Sequence, residues 1–165
     1  MGRRQLTTST PVGIAVAVLL GVAVVLGLRL WVVEPLTVAS DSLAPTVAQG
    51  STVLVGRWQQ AAGSPDAGQL VVLRDPVDGR SMLKRVVAVA GQTLAIRDGV
   101  LYVDEVAVAE PYVDPRHVDG TFFGLMRVPA GHVFVLGDNR AVSIDSRDFG
   151  AVPVEDLTGL VLWAG

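Results

Sequence analysis

Residues 82–103 read MLKRVVAVAGQTLAIRDGVLYV, and this stretch decides the fold class. Met82 to Ala90 is a long run of β-favouring residues. Thr93 to Arg97 and Val100 to Val103 then flank Asp98-Gly99, a dipeptide suited to the type I′ turn of a two-residue β-hairpin. Val106 to Val108 extends the hairpin across Asp104-Glu105. Upstream, Ser51 to Val55 and Gln69 to Arg74 read as strands joined by a polar, Gly/Ala/Pro-containing loop from Arg57 to Gly68. Downstream, His132 to Leu136 reads as a strand and Gly159 to Trp163 as a last one. Pro111 to Phe123 reads as irregular, and Gly137 to Phe149 as a polar loop. Nothing after residue 33 shows a sustained helical period, so residues 34–165 are expected to form one mostly-β domain, without internal repeats.

The N-terminal part differs in kind. After a short polar start carrying Arg3 and Arg4, Val12 to Val33 is apolar except for Arg29. About 20 apolar residues suffice to cross a bilayer as a helix. Residues 12–33 are therefore expected to form a single transmembrane helix, with Arg29 snorkelling toward the far headgroups. Arg3 and Arg4 would keep residues 1–11 in the cytoplasm and leave residues 34–165 outside. A cleavable signal peptide shares the basic start and apolar middle, and Thr37-Val38-Ala39 offers small residues for processing. The apolar run, however, exceeds the roughly 7–15 residues of such a segment, and the site lies far beyond it. Glu34-Pro35 ends the helix, because proline disfavours helical geometry in the residue before it.

Composition narrows the chemistry. Half of the 165 residues are apolar, enough for a core, and the net charge is −3 with scattered arginines, so no basic field marks a nucleic-acid partner. The absence of cysteine excludes disulfides, thiol catalysis and thiolate metal sites. His117 and His132 make a poor metal set on their own, and neither a metal nor a cofactor is expected.

Two features suggest nucleophilic chemistry. Ser40-Asp41-Ser42-Leu43-Ala44-Pro45-Thr46 offers two hydroxyls two residues apart, with no histidine or carboxylate placed as a base. A serine hydroxyl is a weak nucleophile unless something takes its proton. Lys84 is the only lysine among 13 basic side chains. Strand alternation puts it on an apolar face with Val86, Ala88 and Ala90, and turns Arg85 to the other face with Val87. Burial lowers the pKa of a lysine, which can then act as a base where arginine cannot. A lysine snorkelling from a sheet edge is the alternative that the strand pattern alone leaves open. Gly137 to Arg147 is dense in hydrogen-bonding groups, with Asp138 near Arg140 and Asp145 near Arg147. A plain surface loop is the competing reading there, since such residues also favour turns.

Taken together, Ser42-Leu43-Ala44-Pro45-Thr46 after an apolar anchor, Gly68-Gln69-Leu70-Val71-Val72 with Arg74-Asp75-Pro76, Lys84-Arg85-Val86-Val87 before Gly91, and Gly137-Asp138-Asn139-Arg140 with Ser143, Asp145-Ser146-Arg147 and Gly150 resemble the ordered motifs of bacterial type I signal peptidases. The resemblance runs from the anchor to about residue 160. It implies a mostly-β, membrane-anchored Ser-Lys endopeptidase that removes signal peptides from exported preproteins at the bacterial cell membrane. Ser42 resembles the nucleophile and Lys84 the general base. The backbone N–H of Ser42 and the hydroxyl of Ser40 would form the oxyanion hole, and Ser143 resembles the residue that orients the lysine amine. Asp145 with Arg147 resembles a supporting ion pair, and Arg85 is a candidate partner for Asp138. The family prefers small side chains at the first and third positions before the cleaved bond. Val38, Leu43, Leu83 and Val86 are candidates for lining those shallow pockets, and Trp58, Phe122 and Phe123 for contact with the lipid bilayer.

The sequence departs from the family pattern at Leu43, where Met is usual, and at Asp41, a negative charge where a small or neutral residue is commoner. Leu for Met conserves volume. Asp41 could point harmlessly to solvent, or raise the pKa of Lys84 if it came close. Two alternatives remain open on sequence: a processing protease of the same fold dedicated to one or few substrates, and an inactive membrane-anchored binding homologue.

Overall fold

The expected turn at Asp98-Gly99 has both central residues in the left-handed region, at φ 51° and 78°, as a type I′ turn requires. It joins β5 (Thr93–Arg97) to β6 (Val100–Val103), in register from Arg97 opposite Val100 to Leu94 opposite Val103. In this computed structural model, which describes residues 11–57, 63–76, 78–118 and 122–164, a second two-residue turn at Asp104 and Glu105 also takes positive φ, 48° and 67°. No glycine helps here; instead the Asp104 carboxylate accepts hydrogen bonds from the Thr93 N–H at 2.8 Å and the Thr93 hydroxyl at 3.1 Å. This turn leads into β7 (Val106–Ala107). On the other side of β5 lies β8 (Phe123–Arg127), giving a four-stranded sheet ordered β7-β6-β5-β8.

The larger sheet has seven strands: β1 (Val33–Thr37), β2 (Thr52–Arg57), β3 (Leu70–Arg74), β4 (Ser81–Val89), β9 (His132–Leu136), β10 (Val152–Pro153) and β11 (Leu157–Ala164). Their order is β1-β2-β11-β3-β4-β9-β10, and neighbours are antiparallel. The prolines of this sheet, Pro35 and Pro153, sit in its two edge strands, where a missing N–H leaves no gap in the ladder. A 22-residue helix α1 (Pro11–Val32) precedes β1 and ends three residues before Pro35. Its side chains from Val12 to Val25 are exposed. Among the described residues no helix is long and apolar enough to cross a membrane, and the described side chains of α1 cover only part of the expected span. Arg3, Arg4, the side chain of Arg29, and Trp58 lie outside the described residues.

β4 runs between β3 and β9, and its residues Leu83 to Ala88 are all buried. The strict alternation expected for it is broken. A bulge between Val86 and Ala88 shifts the register against β9, so Val86 packs with Val71, Val133 and Val135, whereas Val87 and Ala88 both pack with Leu94, Phe134 and Leu136. Lys84 therefore shares a face with Val86 but not with Ala88. Phe134 is fully buried between the two sheets, its ring 5.2 Å from that of Phe123 and tilted by 56°. Two elements lie where no strand or helix is expected: β8, which overlaps the stretch read as irregular only at Phe123, and α2 (Ser146–Phe149), a single turn inside the stretch read as a polar loop.

Because Phe134 has no exposed surface and touches both sheets, Phe134→Ala should cost about 3–5 kcal/mol. Denaturant unfolding of the full chain in detergent measures this; a loss below about 1 kcal/mol would contradict the inter-sheet core.

Candidate active site

Ser42 lies in the turn between β1 and β2. Leu43 and Val47 are buried beneath it in a cluster with Val53, Val55 and Val72. The Ala44 N–H donates to the Asp41 carbonyl and the Val47 N–H to the Leu43 carbonyl, both at 3.0 Å. The apolar side chains thus pin the turn from below and leave the hydroxyls above. The Ser40 and Ser42 Oγ atoms are 3.2 Å apart.

Lys84 extends from β4, opposite Val71 of β3, and only 3% of it is exposed. Its Nζ donates to Ser143 Oγ at 3.0 Å. Burial lowers its pKa to about 8, a shift opposed by the negative charge of Asp145, assisted by Arg147 and opposed further by Asp75 and Asp148. Ser42 and Lys84 line one cleft of about 480 Å³, with Ser40, Asp41, Asp75, Met82, Asn139, Val142 and Ile144.

The loop from Gly137 to Asp145 holds Ser143 in place. Asp145, fully buried, caps α2 and accepts from the Arg147 N–H at 3.2 Å and from its Nε at 2.9 Å. Asp145 also accepts from the Gly137 N–H at 3.0 Å. Arg147 Nη2 donates in turn to the carbonyls of Arg140 at 2.7 Å and Ser143 at 3.1 Å. Gly137 has no room for a side chain: a Cβ there would sit 2.2 Å from Ser143 Oγ and 2.5 Å from the Ser42 carbonyl oxygen. The Asn139 N–H donates to that same carbonyl at 3.1 Å.

Arg85 points away from Lys84 and makes a two-pronged pair with Asp138, Nε to Oδ1 at 2.8 Å and Nη2 to Oδ2 at 2.6 Å. Thr46 donates to Asp138 Oδ2 at 2.5 Å, and Arg85 Nη1 donates to the Gly68 carbonyl at 2.8 Å. One carboxylate thereby joins the serine turn, the lysine-bearing strand and the loop after β9.

Residues 12–164 match the sequence family described as "Signal peptidase, peptidase S26". The chain belongs to that family. A probable signal peptidase I-1 of Synechocystis is 36% identical over 88% of this chain and 78% of its own length. Signal peptidase I of Bacillus caldolyticus is 34% identical over 85% of this chain and 83% of its own. The crystal structure of a signal peptidase I from Enterococcus faecalis superposes with a TM-score of 0.53 at 30% identity, covering 58% of this chain and 95% of that one. The chain is accordingly a serine endopeptidase of the type I signal peptidase class.

Within this peptidase the structure separates the expected site residues into two groups. Ser40, Ser42, Lys84, Ser143, Asp145, Arg147, Asp138 and Arg85 come together as three hydrogen-bonded groups, Ser40 with Ser42, Lys84 with Ser143, Arg147 and Asp145, and Arg85 with Asp138, and Ser40, Ser42 and Lys84 line one cleft. Val38, Leu43, Leu83 and Val86, expected to line substrate pockets, are buried in the core and do not line the cleft. Alternation and apolar character mark core and pocket wall alike, and the apolar lining comes from Met82, Val142 and Ile144. Phe123, partly buried, packs its ring tilted against Phe134, while Phe122 is 74% exposed. Asp41 is exposed and lines the cleft.

Sequence reading missed a buried group behind the loop. Arg140 Nη2 donates to Glu110 Oε1 at 2.5 Å and its Nε to the Gly137 carbonyl at 3.0 Å. Tyr112 donates its hydroxyl to Glu110 at 3.0 Å, and its ring lies 3.9 Å from the Arg85 guanidinium. Burial and the Glu110 charge push the Tyr112 pKa well above its ordinary value, so the hydroxyl remains a donor. Nothing local in Glu110-Pro111-Tyr112 signals this, because its partners are 27 or more positions away in the chain.

Gly137→Ala forces either Ser143 or the Ser42 backbone to move. We expect at least about a 100-fold fall in kcat/KM on an Ala-x-Ala peptide, the scale of an ångström-sized misplacement. A variant keeping more than half the parental rate would show that this close approach does not matter.

Proposed function

We propose that the chain is a membrane-anchored endopeptidase that cleaves N-terminal signal peptides from exported preproteins with a Ser-Lys dyad. The observation that carries this is the buried Lys84 amine, hydrogen-bonded to Ser143 and sharing a cleft with Ser42. With its pKa lowered to about 8, a useful fraction of the amine is neutral near physiological pH and can accept a proton. In this reading Lys84 takes the Ser42 proton as Ser42 Oγ attacks the scissile carbonyl, and the oxyanion is held by the Ser42 N–H and the Ser40 hydroxyl. The protonated amine then gives its proton to the departing amine, leaving an acyl-serine. Water, deprotonated by the same lysine, hydrolyses that ester. Ser143 keeps the amine aimed, and Asp145 with Arg147 fixes Ser143.

The preprotein would lie across the cleft as an extended strand, its side chains against Met82, Val142 and Ile144. Residues 12–33 would span the bilayer with residues 1–11 in the cytoplasm and the β domain outside. The exposed Phe122, just before β8, and Leu125, 70% exposed within it, support a lipid contact on that domain.

Incubation of the detergent-solubilised full chain with a preprotein carrying an Ala-x-Ala site tests this. The parent should process it, and Ser42→Ala and Lys84→Arg should each lose at least about 1,000-fold. Full activity of Lys84→Arg would sink the general-base role, since a guanidinium stays protonated. Inactivity of the parent on several unrelated precursors, with processing of one, would favour a dedicated protease.

The pH profile follows from the sign of the shift. Below the lysine pKa the base is protonated and inert, so kcat/KM should rise about tenfold per pH unit and level off above about pH 8. A flat profile from pH 5 to 9 with chemistry limiting would contradict the assignment.

A further inference from the structure

The Lys84–Ser143 hydrogen bond joins two elements, strand β4 and the loop that follows β9. A second connection spans the same two elements from behind. It is made by residues 110–112, which belong to neither and lie in the connection between β7 and β8. On the loop side, Arg140 Nη2 and the Tyr112 hydroxyl converge on one oxygen, Glu110 Oε1, at 2.5 and 3.0 Å. On the strand side, the Tyr112 ring lies 3.9 Å from the guanidinium of Arg85, the residue after Lys84. Arg140 carries the contact onward: its Nε donates to the Gly137 carbonyl at 3.0 Å, and its own carbonyl accepts from Arg147 Nη2, which also holds the Ser143 carbonyl. The Arg140 and Glu110 side chains are only 3% and 8% exposed, so a partner lost here is not readily replaced by water. A buried guanidinium that loses its carboxylate cannot shed its proton and has to move. Arg140 is already one bond short, because its buried Nη1 has no partner among the described residues.

We propose that Glu110 and Tyr112 are positioning residues for the peptidase reaction: they clasp Arg140 and Arg85 so that the loop carrying Ser143 and the strand carrying Lys84 keep the spacing that proton transfer needs. The proposal rests on the Ser-Lys reading above and deepens it with two residues that do not line the cleft. The Arg85–Asp138 pair ties the same strand to the same loop in parallel, so losing the clasp loosens the geometry without dismantling the site. A small shift of this kind acts on the aim of the Lys84 amine more than on the hold of the cleft on a peptide. The effect therefore falls on kcat, and KM stays close to the parental value.

The test measures kcat and KM of the full chain in detergent on an Ala-x-Ala peptide, each rate corrected for the folded fraction read from near-ultraviolet circular dichroism. Glu110→Gln keeps the size and an acceptor oxygen but removes the charge; kcat should fall about ten- to hundred-fold, with KM within about threefold of the parent. Tyr112→Phe loses the hydroxyl and keeps the ring over Arg85, so its kcat should fall less, by about three- to ten-fold, and Tyr112→Leu, which loses both contacts, should fall further. Tyr102→Leu, which removes the ring 5.1 Å from the Arg97 guanidinium at the distant hairpin, should leave kcat as in the parent. Unchanged kcat in folded Glu110→Gln or folded Tyr112→Leu, or a loss confined to KM, overturns this proposal alone. If those two variants do not fold, Tyr112→Phe decides: a kcat within about twofold of the parent overturns the proposal. A parent that does not cleave the peptide overturns the peptidase reading and this proposal with it.

Discussion

The proposed chemistry sets one requirement on this structure: a lysine amine must be kept out of water, and still be held on a fixed hydrogen bond to a serine. A free lysine is protonated at neutral pH and useless as a base, so the side chain has to be desolvated. Desolvation needs a strand buried on both faces, and β4 supplies it: it is an inner strand of its sheet, and its residues Leu83 to Ala88 are all buried. A desolvated amine without a partner would be costlier still, and Ser143 provides one at 3.0 Å. Asp145 acts in the opposite sense, its charge keeping the pKa from falling further. Burial pulling down and the Asp145 charge pulling up leave the Lys84 pKa at about 8.

The arginines around the site follow the complementary logic. A guanidinium cannot shed its proton, so each buried one must be paired. Arg85, Arg140 and Arg147 take Asp138, Glu110 and Asp145. Buried pairs of this kind are weak evidence for net stability, because desolvation offsets much of the attraction. Their value here is in registry. Asp138 receives Thr46 from the serine turn and Arg85 from the lysine strand, so the two halves of the site are tied through one carboxylate. Arg147 fixes the Ser143 carbonyl while Asp145 holds the Gly137 N–H, and Gly137 packs against both Ser143 and the Ser42 carbonyl. Positional error in any of these would reach the Ser42 and Lys84 side chains.

Local chemistry made part of this legible from the sequence. Asp98-Gly99 carries its turn geometry in two residues, and the strands beside it, Thr93–Arg97 and Val100–Val103, have the expected ends. A lone lysine in an apolar strand of an arginine-rich chain marked the buried amine. Other features depend on distant partners. The bulge after Val86 arises from pairing with β9 and has no local signature. Glu110 and Tyr112 join the site because the second sheet delivers them behind the Gly137 loop. Val38, Leu43, Leu83 and Val86 have the same apolar character whether they face a core or a cleft, and only the tertiary structure assigns them to the core.

The burial that lowers the Lys84 pKa also weighs on the fold. In the unfolded chain the amine has its ordinary pKa of 10.5, against about 8 when folded. Below pH 8 both states are protonated, and the folded state carries the full penalty of a buried cation. Between pH 8 and 10.5 the unfolded state binds more protons, so this group's contribution to stability rises with pH; above 10.5 the penalty is gone. At about 1.4 kcal/mol per unit, the penalty near neutral pH is on the order of 3 kcal/mol. It is a large fraction of a typical domain's net stability. The clusters flanking β4, one beneath the serine turn and one between the sheets, must offset that cost. On the proposed reading, stability and reactivity are thus coupled through one side chain: a change that relaxed the burial of Lys84 would ease folding and, by restoring the proton, remove the base.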